Sequence, residues 1–232
     1  MKAVVLLSGG QDSVTALYWA KEQFNDVYAI SFDYGQRHAA ELQAAQKIAH
    51  IANVKHEVID IKHCLKSTSP LVSDNDLETY DSYDQMDEVI GDRQELTFVP
   101  MRNSLFLTVA ANRCDYLNFD NIVIGVCEMD NANYDDCRSK FIESAEEYIN
   151  YSLGGDQRNG KHWIMVHAPL LKKSKAETIN MARSLNAMEA MSYSHTCYAG
   201  QTPPCGECHS CVLRAQGFKD AGIDDPIFSR YS

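Results

Sequence analysis

Two groups of residues in this sequence have types and spacings suited to chemistry. Ser8-Gly9-Gly10-Gln11-Asp12-Ser13 follows at once on the apolar run Ala3-Val4-Val5-Leu6-Leu7. A short continuous apolar run reads as a strand covered on both faces. The paired glycines allow a tight turn and close backbone approach to a ligand. Asp12 and Ser13 then stand at a helix entrance, ahead of Val14, Leu17 and Tyr18 at helical spacing. Strand, small polar loop and helix N-terminus together aim free N–H groups and a positive dipole end at one point, so a phosphate is the expected occupant. The stretch lacks the lysine of a Walker loop and the third glycine of a dinucleotide fingerprint. The second group is Cys197, Cys205, Cys208 and Cys211. Cys-x-x-Cys puts two thiolates on one turn, and four converging sulfurs suit tetrahedral zinc. An iron–sulfur cluster uses similar spacings, and a redox pair would need only two of the four. A closed four-sulfur zinc site has no open position for water and is structural.

The elements that must position these groups alternate along the chain. Val27–Phe32 reads as a second strand, ending at Asp33-Tyr34-Gly35-Gln36-Arg37-His38. Ala39, Leu42, Ala45, Ile48, Ala49 and Ala52 repeat at helical spacing, and Val54–Ile61 reads as a third strand. Residues 67–95 break the pattern with Asp74, Asp76, Glu78, Asp81, Asp84, Asp87, Glu88 and Asp92; they read as a long acidic loop, either a lid or a solvated insertion. Regularity returns with a helix after Arg102-Asn103, a strand over Ile122–Val126 delivering Cys127-Glu128-Met129-Asp130, a helix from about Lys140 to Tyr151, and a strand over Trp163–Ala168. Ser174-Lys175-Ala176-Glu177 is a capping box. Alternating strands and helices predict an α/β fold, a doubly wound, mainly parallel five-stranded sheet. Residues 1–190 are expected to form that domain, with 66–95 as its acidic loop, and 191–232 a small C-terminal zinc-binding segment.

Composition narrows the partners. The 232 residues hold 21 Lys+Arg against 32 Asp+Glu, a net charge of −11 that argues against a nucleic-acid backbone as the main partner. No apolar run approaches the length of a membrane span and the first residues read as a strand, so a soluble cytoplasmic protein is expected. Cys64 and Cys114 read as packing or surface thiols; Cys127 and Cys137 fall near site loops without metal-ligand spacing.

The loop Ser-Gly-Gly-x-Asp-Ser resembles the PP-loop of the ATP pyrophosphatases, which cleave ATP between its α and β phosphates and activate a substrate oxygen as an adenylate. With Phe32–His38, Thr97-Phe98-Val99-Pro100, Arg102-Asn103, Gly125–Glu128, Asp136-Cys137-Arg138, Lys175–Thr178, Thr196-Cys197-Tyr198 and Cys205-Gly206-x-Cys208-x-x-Cys211, the chain resembles the 7-cyano-7-deazaguanine synthase family from about residue 3 to 218. Met101 stands where that family usually has glycine, and Asp135 where proline is common. The resemblance implies ATP-dependent conversion of 7-carboxy-7-deazaguanine and ammonia to the nitrile, through an adenylated carboxylate and an amide. It implies ATP bound by Leu7, Ser8, Gly9, Gly10, Gln11, Asp12, Ser13, Val14, Thr15, Ala16, Leu17 and Asp33, with Asp12 holding Mg²⁺. Asp12, Lys175 and Arg102 are the expected catalytic residues. Phe98, Arg102, Glu128, Asp130 and Arg138 are the expected substrate contacts, with Glu128 or Asp130 reading the guanine-like N–H donors and Phe98 or Tyr34 stacking on the ring. One structural zinc per chain and a homodimer complete the expectation. The rival readings are a tRNA-thiolating PP-loop enzyme, which the negative charge and the absence of a separate catalytic cysteine pair disfavour, and a non-catalytic ATP-binding zinc protein.

Overall fold

The apolar run at the N-terminus becomes the centre of a sheet. The structure, a computed structural model, describes residues 1–37, 40–129, 133–154 and 163–231. Five strands, β1 (Lys2–Leu6), β2 (Asp26–Asp33), β3 (Lys55–Asp60), β4 (Asn121–Val123) and β5 (Met165–His167), pair in parallel in the order β3-β2-β1-β4-β5. Both faces are covered, which is why β1 needs no polar position between Ala3 and Leu6. Ala3, Val5 and Leu7 point into one core with Val14, Leu17, Ala45, Ile48 and Ile179. Val4 and Leu6 point into the other, with Leu107, Ala110, Ile122 and Ile149. Full burial of each Val, Leu or Ile among them contributes roughly 1.5–3 kcal/mol, so a charge at Val5 would disrupt the first core and one at Val4 the second.

Helices α1 (Gln11–Gln23), α2 (Ala40–Ile51), α6 (Lys175–Ser184), α7 (Met188–Ser192) and α8 (His209–Ala221) supply the first core; α4 (Arg102–Leu117) and α5 (Ser139–Ser152) supply the second. The capping box forms as the sequence indicates: Ser174 Oγ accepts from Glu177 N, and the Glu177 side chain accepts from Ser174 N at 2.7 Å. The core runs on past residue 190, since Met191 and Phe218 are buried in the same cluster as Val14 and Ile48.

Two expectations are corrected. β4 and β5 have three residues each, shorter than Ile122–Val126 and Trp163–Ala168. The chain beyond them still pairs locally, with Ile124 N donating to His167 O at 2.9 Å, before it splays out to form the site. The acidic segment is also more than a loop. It contains α3 (Tyr83–Ile90), capped at its start by Ser82 Oγ, which accepts from Gln85 N, and ended at Gly91, whose φ is +51°. Met86 and Ile90, one turn apart, pack on Val212 and Leu213 of α8. Tyr80 N donates to Glu207 O at 2.7 Å, and Arg93 pairs with Glu78 at 2.6 Å. The segment therefore straps the C-terminal cysteines to the body; Asp74, Asp76, Asp81, Asp84, Asp87, Glu88 and Asp92 are exposed, while Glu95 is buried.

Candidate active site

Strand order reverses at β1, which pairs with β2 on one side and β4 on the other. Ligands of open α/β sheets lie at the carboxyl ends of the strands beside such a switch point. A cavity of about 270 Å³ opens there, between the loop after β1, the end of β2 and the residues after β4.

The loop after β1 is shaped by two glycines that are not alike. Gly9 has φ +93°, and a Cβ on it would lie 2.3 Å from Glu41 O and 2.9 Å from Ala45 N, so it presses directly on the backbone of α2. Gly10 is the extended N-cap of α1, φ −79° and ψ 164°, and a Cβ there would meet only ordinary contacts at 3.5 Å. Ser13 Oγ ties the loop to itself, accepting from Gly9 N at 3.1 Å and donating to Gly10 O at 2.8 Å. Gly125, just beyond β4, brings its backbone against the start of α1; a Cβ would sit 3.0 Å from Asp12 O. Asp12 points across the mouth to Lys175, whose Nζ donates to Asp12 Oδ2 at 2.7 Å. Lys175 is only 8% exposed, its stem resting against Gly217 of α8, where a Cβ would come 2.7 Å from Lys175 Cγ. The Oε1 of Gln11 is buried with no hydrogen-bond partner among the described residues.

Of the residues singled out in the sequence, Leu7, Ser8, Gly10, Gln11, Asp12, Ser13, Tyr34, Arg102, Glu128, Arg138 and Lys175 line the cavity. Gly9 sits beneath it, wedged on α2, while Val14, Thr15, Ala16 and Leu17 are buried in α1 and support the loop from behind. Asp33 is drawn away, 2.9 Å from Lys62 Nζ. Phe98 packs on Tyr134, ring centroids 5.4 Å apart, and stays outside the lining. Asp130 and His38 lie outside the described residues. Glu128 is tightly held: Lys172 Nζ at 2.6 Å and the Ser139 Oγ and N at 2.7 and 3.2 Å all donate to Oε2, and with Lys172 foremost they pull its carboxyl down to about 2.

The sequence reading missed several lining residues. Phe106 of α4 stacks on Phe32 with centroids 4.2 Å apart, and Tyr134 and Tyr198 join Tyr34 around Arg102. Thr97 Oγ1 hydrogen-bonds to both Glu95 and Tyr134, which fixes the Tyr134 ring. Glu41, in the first turn of α2, also faces the cavity. Burial raises its carboxyl to about 7, against a downward pull from Arg102 and with a further upward push from Cys197. The only sequence signal for it was an acid in a first helical turn soon after the Gln36-Arg37 stretch.

The four cysteines converge, all Sγ atoms within 4.8 Å of one another. Cys205 and Cys211 Sγ are 3.8 Å apart, matching the roughly 3.8 Å edge of a tetrahedron of sulfurs about 2.3 Å from a central zinc. Gly206, φ +83° with open space where a Cβ would be, makes the turn, and Cys208 is the N-cap of α8. Cys205 N and Cys208 N donate to the sulfurs of Cys197 and Cys205 at 3.4 Å, as backbone amides do around metal-bound thiolates. The donor set could hold zinc. The residues before Cys197 reach the phosphate loop: His195 N donates to Gly9 O at 2.9 Å, and Thr196 packs over Gly10.

Comparison with known proteins fits this site. The family model described as "Queuosine biosynthesis protein QueC" matches residues 2–222. The chain belongs to the QueC family. It is 43% identical over 231 residues to the 7-cyano-7-deazaguanine synthase of Gloeobacter violaceus, covering 98% of this chain and 95% of that one. With the synthase of Laribacter hongkongensis the identity is 46% over 232 residues, covering 98% and 94%. Among solved structures, a 4-thiouridine synthetase–RNA complex with bound ATP aligns with a TM-score of 0.50 at 16% identity, covering 95% of this chain and 51% of that one. That likeness shows the fold alone. Family membership makes the chain an ATP-using enzyme of 7-cyano-7-deazaguanine synthesis in queuosine biosynthesis. No described helix is long and apolar enough to cross a membrane.

Proposed function

We propose that this chain joins 7-carboxy-7-deazaguanine and ammonia and carries the product to the nitrile, using two adenylations at one site. The observation that carries the reading is the convergence of the phosphate loop, the Asp12–Lys175 pair and the Arg102 guanidinium on a single aromatic-lined cavity. A carboxylate is a poor electrophile because oxide is a poor leaving group; attached to AMP, the same carbon loses a stable phosphate instead. The work of the protein is then mostly placement and charge stabilisation.

In this reading Ser8, Gly9, Gly10, Gln11 and Ser13 cradle the pyrophosphate at the start of α1. Lys175 and Arg102 balance phosphate and substrate charge, and Asp12 offers a hard oxygen for Mg²⁺, which would draw negative charge off the phosphates. Glu128 keeps Oε1 outside its own three hydrogen bonds, available to the N–H donors of the base. Tyr34, one of the two aromatics expected from the sequence to stack on the ring, forms the apolar wall for it with Tyr134 and Phe106. Free ammonia is the nitrogen source that the family resemblance implies. Zinc in the four-cysteine site fixes the C-terminal segment against the loop, and the family resemblance supports a cytoplasmic homodimer. Substituting Asp12 by Ala tests the assignment: pyrophosphate release that depends on 7-carboxy-7-deazaguanine should fall by at least about 100-fold. Release at the unsubstituted rate would refute it.

A further inference from the structure

The nitrogen enters as ammonia with three N–H bonds and leaves in a nitrile with none. Three protons must therefore be taken up inside the cavity, whatever holds the phosphates. When ammonia's lone pair attacks the acyl adenylate, a C–N bond forms, the C–O bond to AMP breaks, and one N–H proton departs to leave the neutral amide. When the amide oxygen attacks the α-phosphorus of a second ATP, pyrophosphate leaves and a second N–H proton is lost, giving an O-adenylated imidate. Loss of the last N–H proton then drives the C–O electron pair out with AMP as the C≡N bond forms. The adenylation of the carboxylate, by contrast, needs no proton acceptor.

We infer that the Glu41 side chain is the proton acceptor for these N–H losses. The inference rests on the reaction proposed above. Three carboxylates line the cavity among the described residues, and two are committed. Asp12 is bound to Lys175, and Glu128 has one oxygen filled by Lys172 and Ser139 and is held as a weak base. Glu41 makes no ion pair or side-chain hydrogen bond among the described residues. Its placement fits the chemistry. Its own backbone carbonyl is the atom on which Gly9 presses, so it stands beside the phosphate loop. Arg102 and Tyr34, which interact electrostatically with it, line the same cavity. Glu41 thus lines the same cavity as Arg102 and the phosphate loop. Partial burial brings it near neutrality, where one group can accept a proton and return it to water between steps. His195 and His209 also line the cavity. His209 is stacked flat on Tyr198, 9° between the rings, and His195 belongs to the strap under Gly9.

The test compares two activities of one variant. In the unsubstituted enzyme, 7-carboxy-7-deazaguanine should drive ATP–pyrophosphate exchange without ammonium, and nitrile should form when ammonium is added. Absence of both would overturn the proposed function and not this inference alone. For Glu41→Gln, nitrile formation should fall by about 100- to 10,000-fold, while exchange falls far less and the amide or adenylate accumulates in the mass spectrum. Starting from the amide and ATP, nitrile formation should fail as well. A merely structural role would lower exchange and nitrile formation together, and that result overturns the inference, as does an undiminished nitrile rate. Should Gln prevent folding, Glu41→Asp carries the same comparison. It should keep exchange and retain part of the nitrile rate; parallel loss of both would refute the assignment.

Discussion

The two glycines of the phosphate loop are identical in sequence and unequal in the structure, so Ala substitution should separate them. At Gly9 a methyl group would lie 2.3 Å from Glu41 O and 2.9 Å from Ala45 N, both backbone atoms of α2 that cannot rotate aside. Relieving those contacts to ordinary distance requires the loop and α2 to part by about 1 Å, an overpacking that costs roughly 1–3 kcal/mol. The φ of +93° adds about 1–2 kcal/mol for a residue with a Cβ. The stiffer unfolded chain returns about 0.4–1 kcal/mol. Gly9→Ala should therefore destabilise by roughly 1–5 kcal/mol. Gly10→Ala meets side-chain atoms at 3.5 Å with φ −79°, and loses only the N-cap preference of glycine over alanine, under about 1 kcal/mol. Urea unfolding of both variants, followed by far-ultraviolet circular dichroism, measures the difference. Equal midpoints, or Gly10→Ala as the weaker protein, would refute the packing of the loop on α2.

Three further outcomes follow from the same geometry. Met101 has φ +64° at the N-cap of α4, so Met101→Gly should raise unfolding stability by about 1 kcal/mol or leave it unchanged if lost side-chain contacts offset the relief; a loss beyond about 1 kcal/mol would contradict the left-handed backbone. With zinc in the cysteine site as proposed, its removal by a chelator should lower the melting temperature and raise the ATP concentration needed for half-maximal exchange, because His195, which donates to Gly9 O, and Thr196, over Gly10, immediately precede Cys197; zinc should restore both, and metal-free protein with unchanged ATP dependence would contradict that link. Burial raises the Glu41 carboxyl from 4.5 to about 7, so its unfavourable ionisation takes stability away as pH climbs from about 4.5 to about 7; Glu41→Gln should melt higher than the unsubstituted protein at pH 8 and alike at pH 4, and equal melting at both would refute that burial.

Local signals carried most of the architecture. β1 and the phosphate loop were legible because a continuous apolar run, two glycines and a helical repeat sit within eighteen residues. The capping box at Ser174 and the cysteine spacing were legible for the same reason. What escaped depends on distant partners. The Met86 and Ile90 pair of α3 is short and surrounded by carboxylates, and it has meaning only once α8 supplies Val212 and Leu213 more than a hundred residues later. Glu41 looked like an ordinary first-turn acid; only the fold of the chain across β1 puts its backbone against Gly9 and brings it to the same cavity as Arg102. Met101 was visible as a departure from the glycine usual in the family, and the left-handed backbone there explains why glycine is the easier residue. Of the two aromatics the sequence offered for stacking, Tyr34 lines the cavity, while Phe98 packs on Tyr134, a lining residue with no local signal of its own.

The central claim is that one site activates the same carbon twice, and stoichiometry measures it most directly. Zinc-loaded protein would be given ATP, Mg²⁺, ammonium and 7-carboxy-7-deazaguanine, with AMP and pyrophosphate counted against nitrile formed. The account predicts two AMP and two pyrophosphate for each nitrile, with the amide as a transient that is consumed. One AMP per nitrile, or AMP formation indifferent to the deazaguanine carboxylate, would contradict it.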